Sequence, residues 1–133
     1  MIVCFDTNVL MSAVATRGLC ADIVNAALAE HQLIVGETVL AELRRVLRQK
    51  LRLPIVLVDE MDAFLRLHAT VIEAAPALEI QALDDGDRAV LAEAVAGKAD
   101  VLVTGDQDLL KLASEAPIKV LSPRGFWELL RSA

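Results

Sequence analysis

Ile2-Val3-Cys4-Phe5-Asp6-Thr7-Asn8-Val9-Leu10 is the stretch whose reading decides the fold. Ile2 to Phe5 form a short β-prone run that is apolar on both faces, as expected of a strand in a parallel sheet covered by helices on each side. The run stops at an acid, Asp6, and helical spacing takes over from Asn8. In an open parallel α/β sheet, ligands bind beyond the carboxyl ends of the strands, at the crevice where strand order reverses. An acid directly after such a strand is therefore a candidate functional group.

Working outward, the same alternation repeats. Short β-rich runs fall at Leu33 to Val35, Val71 to Ile72, Val101 to Val103 and Lys119 to Leu121. Between them lie segments with helical spacing: Asn8 to Ala15, Ala21 to Ala29, Thr38 to Arg48, Val56 to His68, Asp87 to Ala96, Asp106 to Ser114 and Pro123 to Arg131. Strand and helix in turn predict an α/β chain layered α/β/α around a central five-stranded parallel sheet. Gly36 follows the second strand, Pro54 ends the third long helix, and Gly97 closes the helix that Asp87 opens. Ser122-Pro123 reads as an N-cap followed by proline in the first turn. Pro76 breaks the chain before an acidic stretch, and Ala74 to Leu83 reads as loop. No repeat or linker divides the 133 residues, so a single domain spanning 1–133 is expected.

Further acids fall where the first one does. Asp106 follows Val101 to Val103 through Thr104 and Gly105, a glycine that lets the backbone turn sharply. Glu42 is placed by helical geometry: Val39, Leu40, Leu43, Val46 and Leu47 form one apolar arc, and Glu42 lies only about 40° outside Val46. Taken alone, Glu42 is also explained by contact with a helix N-terminal dipole. Asp84-Asp85-Gly86-Asp87 opens another helix, and alone it would pass for a solvated cap. Carboxylates from four segments meeting at one crevice repel each other unless a cation intervenes. Mg²⁺ or Mn²⁺ suits carboxylate and water oxygens.

Composition narrows the alternatives. Apolar residues make up 56% of the chain, yet charges interrupt every apolar stretch before membrane-spanning length. The start at Met1 shows no basic, then apolar, leader, so the expected location is the cytoplasm. Cys4 and Cys20 form no C-x-x-C pair and read as core thiols, and His31 and His68 stand in no zinc-ligand spacing. A net charge of −6 argues against holding nucleic acid by a broad basic surface, so a local basic patch or bound cations would be needed.

Val3-Cys4-Phe5-Asp6-Thr7-Asn8-Val9-Leu10 resembles the opening motif of PIN domains. Glu42, then Asp87 in Asp87-Arg88-Ala89-Val90-Leu91-Ala92-Glu93-Ala94, then Asp106 in Val101-Leu102-Val103-Thr104-Gly105-Asp106, resemble that family's second, third and fourth acidic positions. Each motif alone is weak, whereas their order over nearly the whole chain is specific. The likeness is nearest to the bacterial and archaeal toxin components of toxin–antitoxin pairs, the VapC-like ribonucleases. It implies a Mg²⁺- or Mn²⁺-dependent endoribonuclease using Asp6, Glu42, Asp87 and Asp106 as catalytic and metal-binding residues. Asn8 and Thr104 match polar positions that orient the acids or bound water, and Asp84 and Asp108 are extra acids suited to outer ligation. The third position is open among Asp84, Asp85 and Asp87, with Asp87 favoured by helix register.

RNA contacts are expected, if anywhere, at Arg44, Arg45 and Arg48, although their position opposite the apolar arc also fits a solvated face. With Phe5, Phe64, Phe126 and Trp127 the only aromatics, a base-stacking platform is not expected. Two other classes compete. An aspartyl phosphoryl-transfer domain would also put acids at strand ends, but Asp6-Thr7-Asn8 lacks the second aspartate of a D-x-D phosphatase motif. A non-catalytic PIN-like binding module would act through protein contacts alone. The resemblance also implies an antitoxin partner, and the apolar segment Leu51 to Val58 or the helices within Asn8 to Ala29 suit an antitoxin or dimer surface.

Overall fold

A strand apolar on both faces must be covered on both, and in the computed structural model helices flank a five-stranded sheet whose three inner strands are largely buried and whose edge strands stay partly exposed. The structure describes residues 1–133 except 74, 81 and 133. The elements run β1 (Ile2–Phe5), α1 (Thr7–Ala15), α2 (Leu19–Glu30), β2 (Gln32–Gly36), α3 (Glu37–Gln49), α4 (Ile55–His68), β3 (Ala69–Ile72), α5 (Asp85–Ala96), β4 (Val101–Val103), α6 (Gln107–Lys111), β5 (Lys119–Leu121) and α7 (Pro123–Ser132). The strands form one sheet in the order β3-β2-β1-β4-β5, and every pairing is parallel. The expected α/β/α architecture with a five-stranded parallel sheet is thus the observed one.

Strand order fixes where a site can form. From β1 the chain steps outward through β2 to β3, then crosses back to the other side of β1 to lay down β4 and β5. The order reverses beside β1, so a crevice opens between the carboxyl ends of β1 and β4. Val103 pairs with Phe5, and the Asp6 amide donates to the Val103 carbonyl at 2.9 Å. The ends of these two strands are therefore locked side by side.

Side-chain alternation divides the core between the two helical layers. Phe5 meets Phe126 of α7 edge-to-face, with ring centroids 5.8 Å apart. Cys4 is paired in register with Ile34 and Leu102 and faces the opposite layer, where α5 packs. Phe5, Phe126, Ile23, Leu40, Leu47, Leu91, Leu102 and Leu109 are all essentially inaccessible to solvent. On α3 the buried residues are Val39, Leu40, Leu43, Val46 and Leu47, the arc expected from the sequence, and Glu42 stands at its exposed border.

Several local expectations are corrected. The helix that Asp87 was expected to open begins at Asp85, because Asp84 is its N-cap and accepts the Asp87 amide at 2.7 Å. Asp106 likewise precedes its helix as N-cap, and α6 ends at Lys111 rather than at Ser114. Pro54 does not end α3, which stops at Gln49; it stands at the N-cap position of α4. Gly105 needs no special turn geometry, since no described glycine has positive φ. At the end of α5 the left-handed residue is Lys98, with φ of 60°. Gly97 is packed closely instead: a Cβ there would lie 2.4 Å from Ile34 Cδ1, so Ile34 would have to move. Of the expected loop 74–83, the residues Ala75–Ile80 carry no regular structure and Leu83 is buried, while Ala74 and Gln81 lie outside the described residues. Among the described residues no single helix is long and apolar enough to cross a membrane, and α1 and α2, which would suffice only together, meet at 105°.

Candidate active site

Three helix starts and one helix flank bring the acids together. Asp6 is the N-cap of α1, where its Oδ1 accepts the Thr7 amide at 2.8 Å. Its Oδ2 accepts the Thr104 hydroxyl at 2.7 Å, and the same Thr104 oxygen accepts the Asp106 amide at 3.0 Å. Thr104, fully buried, thereby ties the end of β4 to the end of β1. Asp106 caps α6, its Oδ1 accepting the amides of Asp108 at 2.8 Å and Leu109 at 3.2 Å. From α3, Glu42 Oε2 accepts the Thr7 hydroxyl at 3.4 Å. Asn8 Oδ1 accepts the Gly105 amide at 3.4 Å, bridging the β1 and β4 loops from the other end.

Together these residues line a cleft of about 270 Å³ bounded by Asp6, Thr7, Asn8, Glu42, Asp84, Gly86, Asp87, Val90 and Asp106. All four acids expected to be catalytic are here. Asp84 is present as the cap of α5, whereas Asp85 turns outward to an ion pair with Arg88. Asp85 is thus set aside, while Asp84 and Asp87 both line the cleft, the Asp84 carboxylate accepting the Asp87 amide. Asp108 does not line this cleft, but one carboxylate oxygen each from Asp87, Asp106 and Asp108 lie within 4.8 Å of one another. That triad excludes Asp6 and Glu42, so the acids form two overlapping groups that share Asp87 and Asp106.

Electrostatics follow from this crowding. Burial pushes the Asp6 carboxyl above its ordinary range, the bonds from Thr104 and Thr7 pull it back, and Glu42 and Asp106 push it up again. Asp87 is pushed up to about 6, chiefly by burial and then by Asp106, Asp84, Asp6 and Asp108. Among the described residues the nearest cation to these acids is Arg45, at 3.9 Å from Glu42 Oε1 with both side chains about half exposed. The lining offers carboxylate, hydroxyl and amide oxygens and neither sulfur nor imidazole, a donor set that fits a hard divalent cation.

The expected RNA-contacting arginines separate. Arg44 donates to Asp59 of α4 at 2.7 Å, and Arg48 donates to the Leu53 carbonyl at 2.9 Å. Arg45 alone of the three stands beside the acids. One residue was missed entirely by sequence reasoning: Glu93 of α5, a buried carboxylate that accepts the Thr38 amide. In the sequence it stands only as part of a helical motif. The signal available was a glycine at the start of α3 with no capping side chain nearby in sequence.

Comparison with known proteins agrees with this fold. A family model described as PIN domain matches residues 2–108. No curated protein matches the chain significantly. Among solved structures, VapBC-1 from nontypeable Haemophilus influenzae is similar with a TM-score of 0.67 at 15% identity, covering 93% of this chain and 99% of that one. VapBC2 from Rickettsia felis, bound to a DNA fragment from its promoter, gives a TM-score of 0.62 at 16% identity, covering 92% and 98%. A PilT N-terminus domain protein from Sulfolobus solfataricus gives 0.56 at 16% identity, covering 99% and 92%. At these identities the likeness is one of fold.

Proposed function

This chain belongs to the PIN domain family, and from that premise we propose that it is a Mg²⁺- or Mn²⁺-dependent endoribonuclease, the toxin of a toxin–antitoxin pair, acting in the cytoplasm. The observation that carries the proposal is the meeting of Asp6, Glu42, Asp87 and Asp106 in one cleft at the point of strand reversal. Four carboxylates with only a distant arginine between them are tolerated when a divalent cation shares their charge.

In this reading Asp6, Glu42, Asp87 and Asp106 hold the metal, with Asp108 as an outer ligand through its closeness to Asp87 and Asp106. When bound, Mg²⁺ or Mn²⁺ supplies charge neutralisation at the scissile phosphate and acidifies water for in-line attack. The protein's own part is preorganisation. Thr7 and Thr104 fix both oxygens of Asp6, so the carboxylate cannot swing when charge develops. Asp106 is fixed by the two amides it caps. Asp87, pushed up to about 6 by burial and its acidic neighbours, is the carboxyl whose ionised form a bound cation would restore most. Arg45 is the basic residue placed to meet a phosphate entering over Glu42, whereas Arg44 and Arg48 are committed to α4 and its leading loop.

A partner surface accompanies the cleft. Helices α1, α2 and α4 enclose an apolar groove of about 290 Å³ with Leu10, Val24, Leu28, Met61 and Phe64 among its walls. Two of the similar structures are of VapBC proteins, and this groove is assigned to an apolar segment of an antitoxin. The exposed Ile55, Val56 and Leu57 at the start of α4 are assigned to a dimer contact, which light scattering at high concentration tests: a monomer there removes it.

The decisive experiment is RNA cleavage by purified Asp6→Asn protein under Mn²⁺. Loss of cleavage with an intact fold is expected. Cleavage equal to wild type would sink the assignment.

A further inference from the structure

We propose that Glu93 is a positioning residue whose carboxylate closes the N-terminus of α3 and so sets where Glu42 stands relative to Asp87. Its functional weight rests on the active site proposed above. Of the polar and charged residues that are buried, Asp6 and Thr7 line the acidic cleft and Thr104 bonds to Asp6 behind it, whereas Glu93 does not line it. A buried carboxylate needs charge-assisted partners. Among the described residues no cation forms an ion pair with Glu93. Its donors lie on Thr38, whose amide reaches Oε1 and Oε2 at 3.3 Å each and whose side chain adds a further bond.

The arrangement solves a problem that α3 cannot solve itself. Its N-cap is Gly36, which has no side chain to offer, and no capping bond comes from within the helix. The first-turn amides of a helix are orphan donors at the positive end of its dipole, and Glu93 supplies the missing acceptor from another helix. Gly36 makes room for it: a Cβ at that position would lie 2.1 Å from Glu93 Oε1 and 2.4 Å from its Cδ. With φ of −85°, Gly36 is demanded by this close approach and not by its own backbone. Burial pushes the Glu93 carboxyl up, the Thr38 bonds pull it down, and Glu37 adds a smaller upward push.

Two acids of the cleft hang on the two helices so joined. Glu42 lies on α3 beyond the capped end, and Asp87 lies on α5 before Glu93. If α3 slides or rotates at its N-terminus, Glu42 moves with it, and displacements of about 1 Å are costly to a preorganised site. Groups that orient metal ligands typically change metal affinity by about 10- to 100-fold when removed.

The test uses the full chain with Glu93→Gln, Glu93→Ala and Gly36→Ala. Mn²⁺ binding is measured by calorimetry, and the Glu42 carboxyl resonance is followed by ¹³C NMR in metal-free protein. Glutamine keeps an oxygen for the Thr38 amide, so Glu93→Gln should bind Mn²⁺ within about threefold of wild type and leave the Glu42 resonance in place. Glu93→Ala should weaken Mn²⁺ binding at least about tenfold and shift that resonance. Gly36→Ala, which retains the carboxylate but displaces it, should behave like Glu93→Ala. If Glu93→Ala fails to fold, the contrast between Gly36→Ala and Glu93→Gln decides the matter. Wild-type Mn²⁺ affinity and an unmoved Glu42 resonance in the folded Gly36→Ala or Glu93→Ala proteins would overturn the proposal, leaving Glu93 a support of the fold only. A Glu93→Gln protein as impaired as Glu93→Ala would overturn it too. If wild type binds no Mn²⁺, the proposed function falls, while the Glu42 resonance still judges the positioning role.

Discussion

Asp6 and Glu93 are buried to the same degree, 7% exposed each, yet they stand in opposite company. Asp6 receives two short bonds, from Thr7 and Thr104, and shares a cleft with four further acids. Glu93 receives longer bonds from a single residue, Thr38, and the one acid that raises its pKa by charge is Glu37. The difference separates two uses of a buried carboxylate. Around Glu93 the charge is matched to a helix N-terminus and the account closes within the protein. Around Asp6 the donors hold the carboxylate still while its neighbours add charge, which leaves a demand that only something from outside can meet.

The widest expected gap between the two is catalytic. Asp6→Asn should lower Mn²⁺-supported RNA cleavage by roughly 10³-fold, a loss typical of removing a preorganised charged group, while leaving thermal stability near that of wild type. Glu93→Gln should lower cleavage by far less. Equal losses in a single-turnover cleavage assay would erase the distinction.

Next in size is the support beneath Asp6. Thr104→Val removes the hydroxyl that bonds Asp6 Oδ2 and accepts the Asp106 amide. With both partners left unmatched, denaturant unfolding should report a loss of about 1–3 kcal/mol.

The pH dependence sharpens the contrast further. Asp87 has its folded pKa raised to about 6 from 3.8, so its contribution to stability is full below the unfolded value and is lost as pH rises through about 6. Asp6 shifts in the same direction. Metal-free protein should therefore lose melting temperature between about pH 4 and pH 6. Asp87→Asn should flatten that slope, and saturating Mn²⁺ should reverse it. An unchanged slope in Asp87→Asn would show that the crowding lies elsewhere.

The smallest effect belongs to Arg45→Ala. Its pairing with Glu42 is long and half exposed, so stability should change by no more than about 0.5 kcal/mol. If Arg45 meets the substrate phosphate, KM for RNA should rise while kcat holds. A change in kcat alone would place it in a different role.

Much of this was legible in the sequence because the signals were local. Runs such as Ile2 to Phe5 and Val101 to Val103 announce strands, and an acid after each announces a crevice wall. The register of α3 placed Glu42 at the border of its buried arc, where the structure finds it. What escaped depends on partners distant in sequence. Within Val90-Leu91-Ala92-Glu93-Ala94 nothing distinguishes Glu93 from a solvated helix residue, since its burial depends on the empty space at Gly36. Gly97 was read as a stop signal, when its constraint is Ile34 across the layer. The committed state of Arg44 and Arg48 was equally hidden, because Asp59 and Leu53 come from the helix and loop that follow.

Asp6, Asp84 and Asp106 each begin a helix as well as facing the cleft. Asparagine caps a helix about as well as aspartate does. A chain that exchanged all three for asparagine would keep its helix starts and surrender three of the five charges in the cleft. The fold is thus separable from its chemistry by single-atom edits at each position, oxygen for nitrogen. Gene duplication could turn such a protein into an inert decoy without passing through an unfolded ancestor.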